Sequence, residues 1–289
     1  YAHVVLQEAN GIAVLNLRTQ SFERIYSLGL KDFNVEGNEI DPSDRDGRIE
    51  LRKVPVKGLY QPDTIASYEF KGRTYLVMAN EGDARDNGEA DSEDERRGSA
   101  GSGASELVPE NTDLSRVLLS NLESVPGGPL VKFGGHSFSI RDTNGKIVFD
   151  SGNKLDSEAI RLGALPDGSN DLYDDGRSDN KGVEPEGVAL LEIEGRVLAF
   201  IGLERSTTPP AAEPGQTPRL PRSAFAVYDI TDPSQARYID MIVSEGDRSP
   251  EGLVAFKAGS RYYVAVAHEV SDTTSLFEIK LSKAQGPQR

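Results

Sequence analysis

Three times in this chain a proline followed by an acidic residue opens a short apolar run, and each time a glutamate stands nineteen positions after the proline. The copies run from Pro62-Asp63 to Glu81, from Pro185-Glu186 to Glu204 and from Pro250-Glu251 to Glu269. Between those marks they align without a gap. Each has an alternating apolar strand, a turn at Lys71-Gly72, Glu194-Gly195 or Gly259-Ser260, and a second apolar strand over 75–79, 197–203 or 262–267. A fixed period of strand pairs is the signature of a radial or stacked β architecture, because each unit buries its apolar faces only against its neighbours.

Further strands flank these pairs. Residues 3–7, 11–17 and 22–28 read as three strands, with Glu8 standing where Glu269 stands in the last unit. The chain is therefore expected to start inside a repeat whose Pro-acidic strand lies upstream of Tyr1. Asp142-Thr143-Asn144-Gly145 joins strands over 136–141 and 146–150, and Asn-Gly is a strong hairpin signal. The third unit adds strands over 223–230 and 236–243, and the last runs 251–257, 261–268 and 273–280.

The expected fold is all-β, a β-propeller of four-stranded antiparallel blades, with this chain covering about three and a half to four blades of a larger ring. The parts are a partial blade over 1–30, a blade over 62–151 with a long insertion at 83–133, a blade over 185–244 and a partial blade over 250–280. Residues 31–59 read as a connecting loop, 114–122 as a short helix inside the insertion, and 156–183 as a polar, turn-rich connection. A β-sandwich is the competing arrangement for so many short strands, but it leaves the equal spacing unexplained.

A formal net charge of −15 argues against phosphate-backbone binding as the main task, since nucleic-acid binders cluster Lys and Arg. Cations suit such a chain better. The absence of cysteine removes disulfides and thiolate chemistry, which leaves burial, strand pairing and hard metal ions to hold the fold. No apolar stretch approaches the ~20 residues of a membrane-spanning helix. A chain opening on Tyr1, without initiator methionine or signal peptide, is expected to be a processed product, and an upstream fragment of the same precursor to complete the ring.

Several motifs carry a family likeness. They are Leu59-Tyr60-Gln61-Pro62-Asp63-Thr64-Ile65-Ala66-Ser67, Ala79-Asn80-Glu81-Gly82-Asp83-Ala84-Arg85-Asp86, Pro185-Glu186-Gly187-Val188, Phe200-Ile201-Gly202-Leu203-Glu204-Arg205 and Ser249-Pro250-Glu251-Gly252-Leu253. In these the chain resembles the choice-of-anchor I family, surface β-propellers similar to mesenchyme-specific cell-surface glycoproteins, and the likeness extends from Tyr1 to Ile279. The resemblance implies a secreted, cell-surface or periplasmic propeller. It also implies kinship with phytase-like and alkaline-phosphatase-like sequences. Where relatives tend to carry arginine before Ser137-Phe138-Ser139-Ile140, this chain has His136, which counts against a phosphate role there.

In a propeller the first strand of each blade lines the channel, so Asp63, Glu186 and Glu251 are expected as neighbours round its mouth. Two readings stand: they hold Ca²⁺ or Mg²⁺, or they accept hydrogen bonds from the adjacent blade and fix its spacing. Glu81, Glu204 and Glu269 either join that cluster or pair with Arg85 and Arg205. Two loops offer oxygen ligands at calcium-like density, Asp167, Asn170, Asp171 and Asp174 in one and Asp83, Asp86 and Asn87 in the other; a solvated acidic loop is the plain alternative for both.

With only three histidines and none of HExxH, GxSxG or a P-loop, zinc hydrolysis and a serine triad lack support. Two functions follow: a calcium-stabilised extracellular binding or scaffold module, or a metal-dependent phosphoesterase in which Arg141, Arg177 and Arg205 hold phosphate. Ca²⁺ is the one cofactor either reading invokes, with no organic cofactor.

Overall fold

The computed structural model describes residues 1–85, 95–97, 108, 112–125, 127–212, 214–215 and 217–280. The chain opens with strands β1 (Ala2–Leu6), β2 (Gly11–Asn16) and β3 (Ser21–Ser27), paired antiparallel in that order. Strands β4 (Leu30–Asp32) and β5 (Val56–Leu59) follow, then the hairpin of β6 (Thr64–Phe70) and β7 (Arg73–Asn80). Three short strands, β8 (Glu95–Arg97), β9 (Leu118–Ser120) and β10 (Leu130–Lys132), precede β11 (Ser137–Asp142) and β12 (Ile147–Asp150). The helix α1 (Lys154–Gly163) leads to β13 (Pro185–Ile193), β14 (Arg196–Leu203), β15 (Arg222–Asp229) and β16 (Arg237–Glu245). The last sheet holds β17 (Pro250–Ala258), β18 (Arg261–His268) and β19 (Thr273–Ile279).

Two sheets are four-stranded and wholly antiparallel, ordered β12-β11-β7-β6 and β13-β14-β15-β16, and the end sheets have three strands each. The connections depart from the sequence expectation in three places. Residues 31–59 are not a plain loop, because β4 and β5 join β10, β9 and β8 in a five-stranded sheet whose β5–β10 pair is parallel. The segment over 114–122 is one 3-10 turn followed by β9 rather than a helix. The turn-rich stretch begins as α1, an amphipathic helix that buries Leu155 and Ala159, four residues apart on one face.

The central strands explain why the sheets stack. Along β7, Leu76 and Met78 pack with Ile12 and Val14 of the first sheet, while Val77 and Ala79 pack with Ala199, Ile201 and Ala226 of the β13–β16 sheet. Strand β14 repeats the pattern: Ala199, Ile201 and Leu203 face back, and Leu198 and Phe200 face forward onto Val264 and Val266 of the last sheet. A strand covered on both faces reads as a continuous apolar run, and alternate side chains serve alternate neighbours. Each fully buried Leu, Ile or Phe contributes roughly 1.5–3 kcal/mol. The first strands also meet one another: β6 lies against β13, and β13 against β17, with β1 beside β6.

Candidate acidic site between the sheets

Each Pro-opened strand starts from a backbone kink. The residues before the prolines, Gln61, Glu184 and Ser249, have φ of 41°, 50° and 59°, a left-handed conformation costly for any residue but glycine. The kink returns the chain to the end of the second strand of its own sheet. Gly82 N donates to Gln61 O at 3.0 Å, Glu204 N to Glu184 O at 2.9 Å, and Glu269 N to Ser249 O at 2.8 Å. Register shifts then follow between Pro185 and Val188 and between Pro250 and Gly252. Such bulges re-aim the side chains they contain, here Glu186 and Glu251. Gly187 is needed at its bulge, since a Cβ there would stand 2.5 Å from Leu253 Cδ1 and 2.9 Å from Glu251 O.

The consequence is a knot of carboxylates. Asp63, Glu81 and Glu186 bring one oxygen each within 4.8 Å of one another, and Glu81, Glu184 and Glu204 do the same. Glu81, Glu184, Glu186 and Glu204 are buried, whereas Asp63 is exposed. Cations gather on one flank. Lys181 Nζ lies 3.0 Å from Glu81, 3.3 Å from Glu184 and 3.7 Å from Asp83. Arg177 reaches Glu184 at 2.6 Å, and Arg205 reaches Glu184 at 3.2 Å and Glu204 at 2.9 Å. Gln7 Nε2, from the end of the first sheet, donates to Glu81 at 2.8 Å.

Burial and mutual repulsion divide these acids. Burial pushes Glu186 up to about 10, reinforced by Glu204, Glu81 and Glu251. It pushes Glu204 up to about 7, with Glu184 adding to the effect and Arg205 opposing it. Glu81 is raised by burial against the pull of Lys181. Glu184 goes the other way: burial favours its neutral form, but Lys181, Arg177 and Arg205 together hold it below the usual carboxylate range. An acid kept protonated beside an ionised one is the usual outcome when like charges share a small volume.

The other residues singled out by sequence lie elsewhere. Glu251 is exposed but near enough to act on Glu186, and Glu269 is exposed at the end of β18. Arg141 is buried with its guanidinium 4.3 Å over the Tyr60 ring, donating to the carbonyls of Leu28 and Gly145. In the 167–175 loop the oxygens serve the loop itself. Asp167 accepts from Ser169, Asn170 from the amides of Leu172 and Tyr173, and Asp174 from Gly176 N, while Asp171 pairs with Arg222 at 2.7 Å. Asp83 belongs to the Lys181 flank, and Asp86 and Asn87 lie outside the described residues.

Two members of the knot, Glu184 and Lys181, are missing from the sequence reading. The signal for Glu184 was its place directly before Pro185, where the other copies have uncharged Gln61 and Ser249. A second polar assembly was also missed. His136 Nδ1 lies 2.9 Å from Asp156, and its Nε2 takes a short hydrogen bond from Lys132, all three fully buried. Burial and then Lys132 lower the His136 pKa, so the ring is neutral, with Nδ1–H donating to Asp156 and Nε2 accepting from Lys132.

Stacked antiparallel sheets that share an acidic seam where their first strands open define a repeat-built β-sheet module. Residues 1–233 match the choice-of-anchor I domain, and the chain belongs to that family. The match ends at Pro233, in the turn between β15 and β16. No curated protein matches the sequence. Family membership suggests an extracellular or cell-surface protein, and among the described residues no helix is long and apolar enough to cross a membrane.

Proposed function

We propose that this chain is a calcium-stabilised binding and scaffold module of the extracellular or cell surface, its sheets standing as the blades of a propeller that further sheets complete. The observation that carries this reading is the alternate-face packing of β7 and β14, which makes each sheet the partner of the sheets before and after it. Sheets stacked in this way, with their first strands meeting at one edge, suit radial repetition. Choice-of-anchor I membership supports the surface location.

A scaffold fits the seam better than a phosphoesterase does. Arg177 and Arg205 are committed to Glu184, and Arg141 is buried under Tyr60, so these three guanidiniums do not converge on a shared place for phosphate. The reading is tested on the purified full chain. Ca²⁺ is expected to raise its melting temperature relative to EGTA, and phosphomonoesters and diesters are expected to survive incubation with it in Ca²⁺ or Mg²⁺. Metal-dependent turnover that Glu186→Ala abolishes would replace the scaffold with a hydrolase. Trypsin treatment of intact source cells is expected to release fragments of this chain.

A further inference from the structure

The two carboxylate triads share Glu81 but differ in what already fills them. In the Glu81–Glu184–Glu204 triad, Lys181, Arg177 and Arg205 all lie within 3.3 Å of Glu184. A metal ion there would have to enter against three fixed positive charges. Among the described residues, one ammonium lies at the margin of the Asp63–Glu81–Glu186 triad, Lys181 on Glu81, with Gln7 also donating to Glu81 and the Thr64 hydroxyl to Asp63 at 2.9 Å.

Glu186 is the informative member. It is 7% exposed, and its Oε2 has no hydrogen-bond donor. A buried carboxylate oxygen without a donor is costly unless a proton or a cation meets it. The charges that act on it are those of other acids, Glu204, Glu81 and Glu251, and Glu204 is within hydrogen-bonding reach, so a cation entering here would take the place of a proton held between Glu186 and Glu204.

We propose that Asp63, Glu81 and Glu186 form a site for one hard divalent cation of the calcium class, which clips the β6–β7 sheet to the first strand of the β13–β16 sheet. The proposal rests on the calcium-stabilised reading above and names the site responsible. The chemistry of the donors selects the ion class: three carboxylates without sulfur or imidazole suit Ca²⁺ or Mg²⁺ rather than zinc. The setting favours the larger ion, because Ca²⁺ accepts irregular all-oxygen shells of about six to eight ligands, whereas Mg²⁺ demands near-ideal octahedral geometry. Asp63, on the exposed side, leaves room for the waters that complete a calcium shell. Because the ligands come from two sheets whose carboxylates otherwise repel, ion binding replaces a repulsive contact with an attractive one.

The test is equilibrium dialysis of the full chain against Ca²⁺ alone, with bound metal measured by elemental analysis, run beside thermal melts in Ca²⁺ and in EGTA. Wild type is compared with Asp63→Asn, Glu186→Gln and a loop control carrying Asp167→Asn and Asp174→Asn. Asp63 is exposed, so its neutral isostere is a variant that keeps the fold, and far-UV circular dichroism checks each protein. Wild type and the loop control are expected to take up one Ca²⁺ per chain, and Asp63→Asn and Glu186→Gln to lose at least tenfold in affinity together with most of the Ca²⁺-dependent rise in melting temperature. Uptake and stabilisation that persist in both seam variants, or that vanish in the loop control, would overturn the site while leaving calcium stabilisation standing. Wild-type protein that neither binds Ca²⁺ nor is stabilised by it would overturn both.

Discussion

Lys181 sets its ammonium 3.0 Å from Oε1 of Glu81, a residue of the preceding four-stranded sheet one hundred positions earlier. Burial alone would lower the lysine pKa, but Glu184 and Glu81 outweigh it and raise it, so the side chain is charged wherever the fold persists. Lys181 is thus the cation that two buried acids share. Replacing it with methionine keeps the volume and strips both acids of that partner. Removing one member of a buried pair costs about 3–5 kcal/mol, so Lys181→Met is expected to lower the urea midpoint with an unchanged slope. Adding Glu81→Gln to that variant is expected to recover part of the loss.

Two aspartates give opposite pH responses. Burial raises Asp229, but the Thr231 hydroxyl and amide, then Arg196 and Arg237, overcome it and bring the carboxyl down to about 2. A depressed folded pKa means that its stabilisation is present above the unfolded value of 3.8 and is lost as pH falls towards 2. Since Arg237 is largely exposed, the contribution is about 1–2 kcal/mol. Asp41 is fully buried, and burial pushes it up to about 7 despite the amides of Glu50 and Ser43. Its contribution is full below pH 3.8 and fades as pH rises through 7. Chemical denaturation from pH 2 to 9 is expected to show Asp229→Asn differing from wild type above pH 4 but converging near pH 2. Asp41→Ala is expected to flatten the decline between about pH 4 and 7.

The strands of the repeat were legible because their alternation is long and their ends are marked. β14 and β18 fall on Arg196–Leu203 and Arg261–His268, within one residue at each end of the 197–203 and 262–267 runs that pattern alone marks. β4 and β5 were not legible. Three or four residues such as Leu30-Lys31-Asp32 carry no measurable period, and β5 finds its parallel partner β10 more than seventy residues later. The helix α1 was hidden by its polar composition, its signal reduced to the pairing of Leu155 with Ala159. The same division holds at the seam. Repeat symmetry pointed to Asp63, Glu186 and Glu251 as neighbours and left Glu81, Glu204 and Glu269 open between that cluster and arginine pairing; the structure groups Asp63 with Glu81 and Glu186, leaves Glu251 and Glu269 exposed, and brings in Lys181 from a connection that no other unit copies.

Gly182 fixes the position of the neutral histidine. It has φ of 64°, and a Cβ on it would stand 2.6 Å from His136 Nδ1 and 3.2 Å from Asp156 Oδ1. Gly182→Ala therefore combines backbone strain with displacement of the ring that links Lys132 to Asp156. Losing that buried network is expected to cost on the order of 3 kcal/mol. Nitrogen NMR of His136 is the specific check: wild type should show the Nδ1–H tautomer throughout neutral pH, and the alanine variant a mixed or titrating ring.

The kink before each proline gives a prediction of the opposite sign. Gln61, Glu184 and Ser249 share the left-handed conformation, but only at Ser249 is the side chain separable from the seam. Gln61 Nε2 donates to Asp83 O at 2.6 Å, and Glu184 holds three cations, so glycine at either position would remove contacts along with strain. Ser249 instead serves through its backbone, accepting from Glu269 N at 2.8 Å, a bond that glycine retains. A left-handed non-glycine residue costs roughly 1–2 kcal/mol, against which glycine loses some unfolded-state entropy. Ser249→Gly is therefore expected to raise stability by about 0.5 kcal/mol, whereas Ser249→Val, β-branched at the same φ, should lower it by at least 1 kcal/mol. Equal destabilisation by both would show that the serine hydroxyl, rather than the backbone, holds the start of β17.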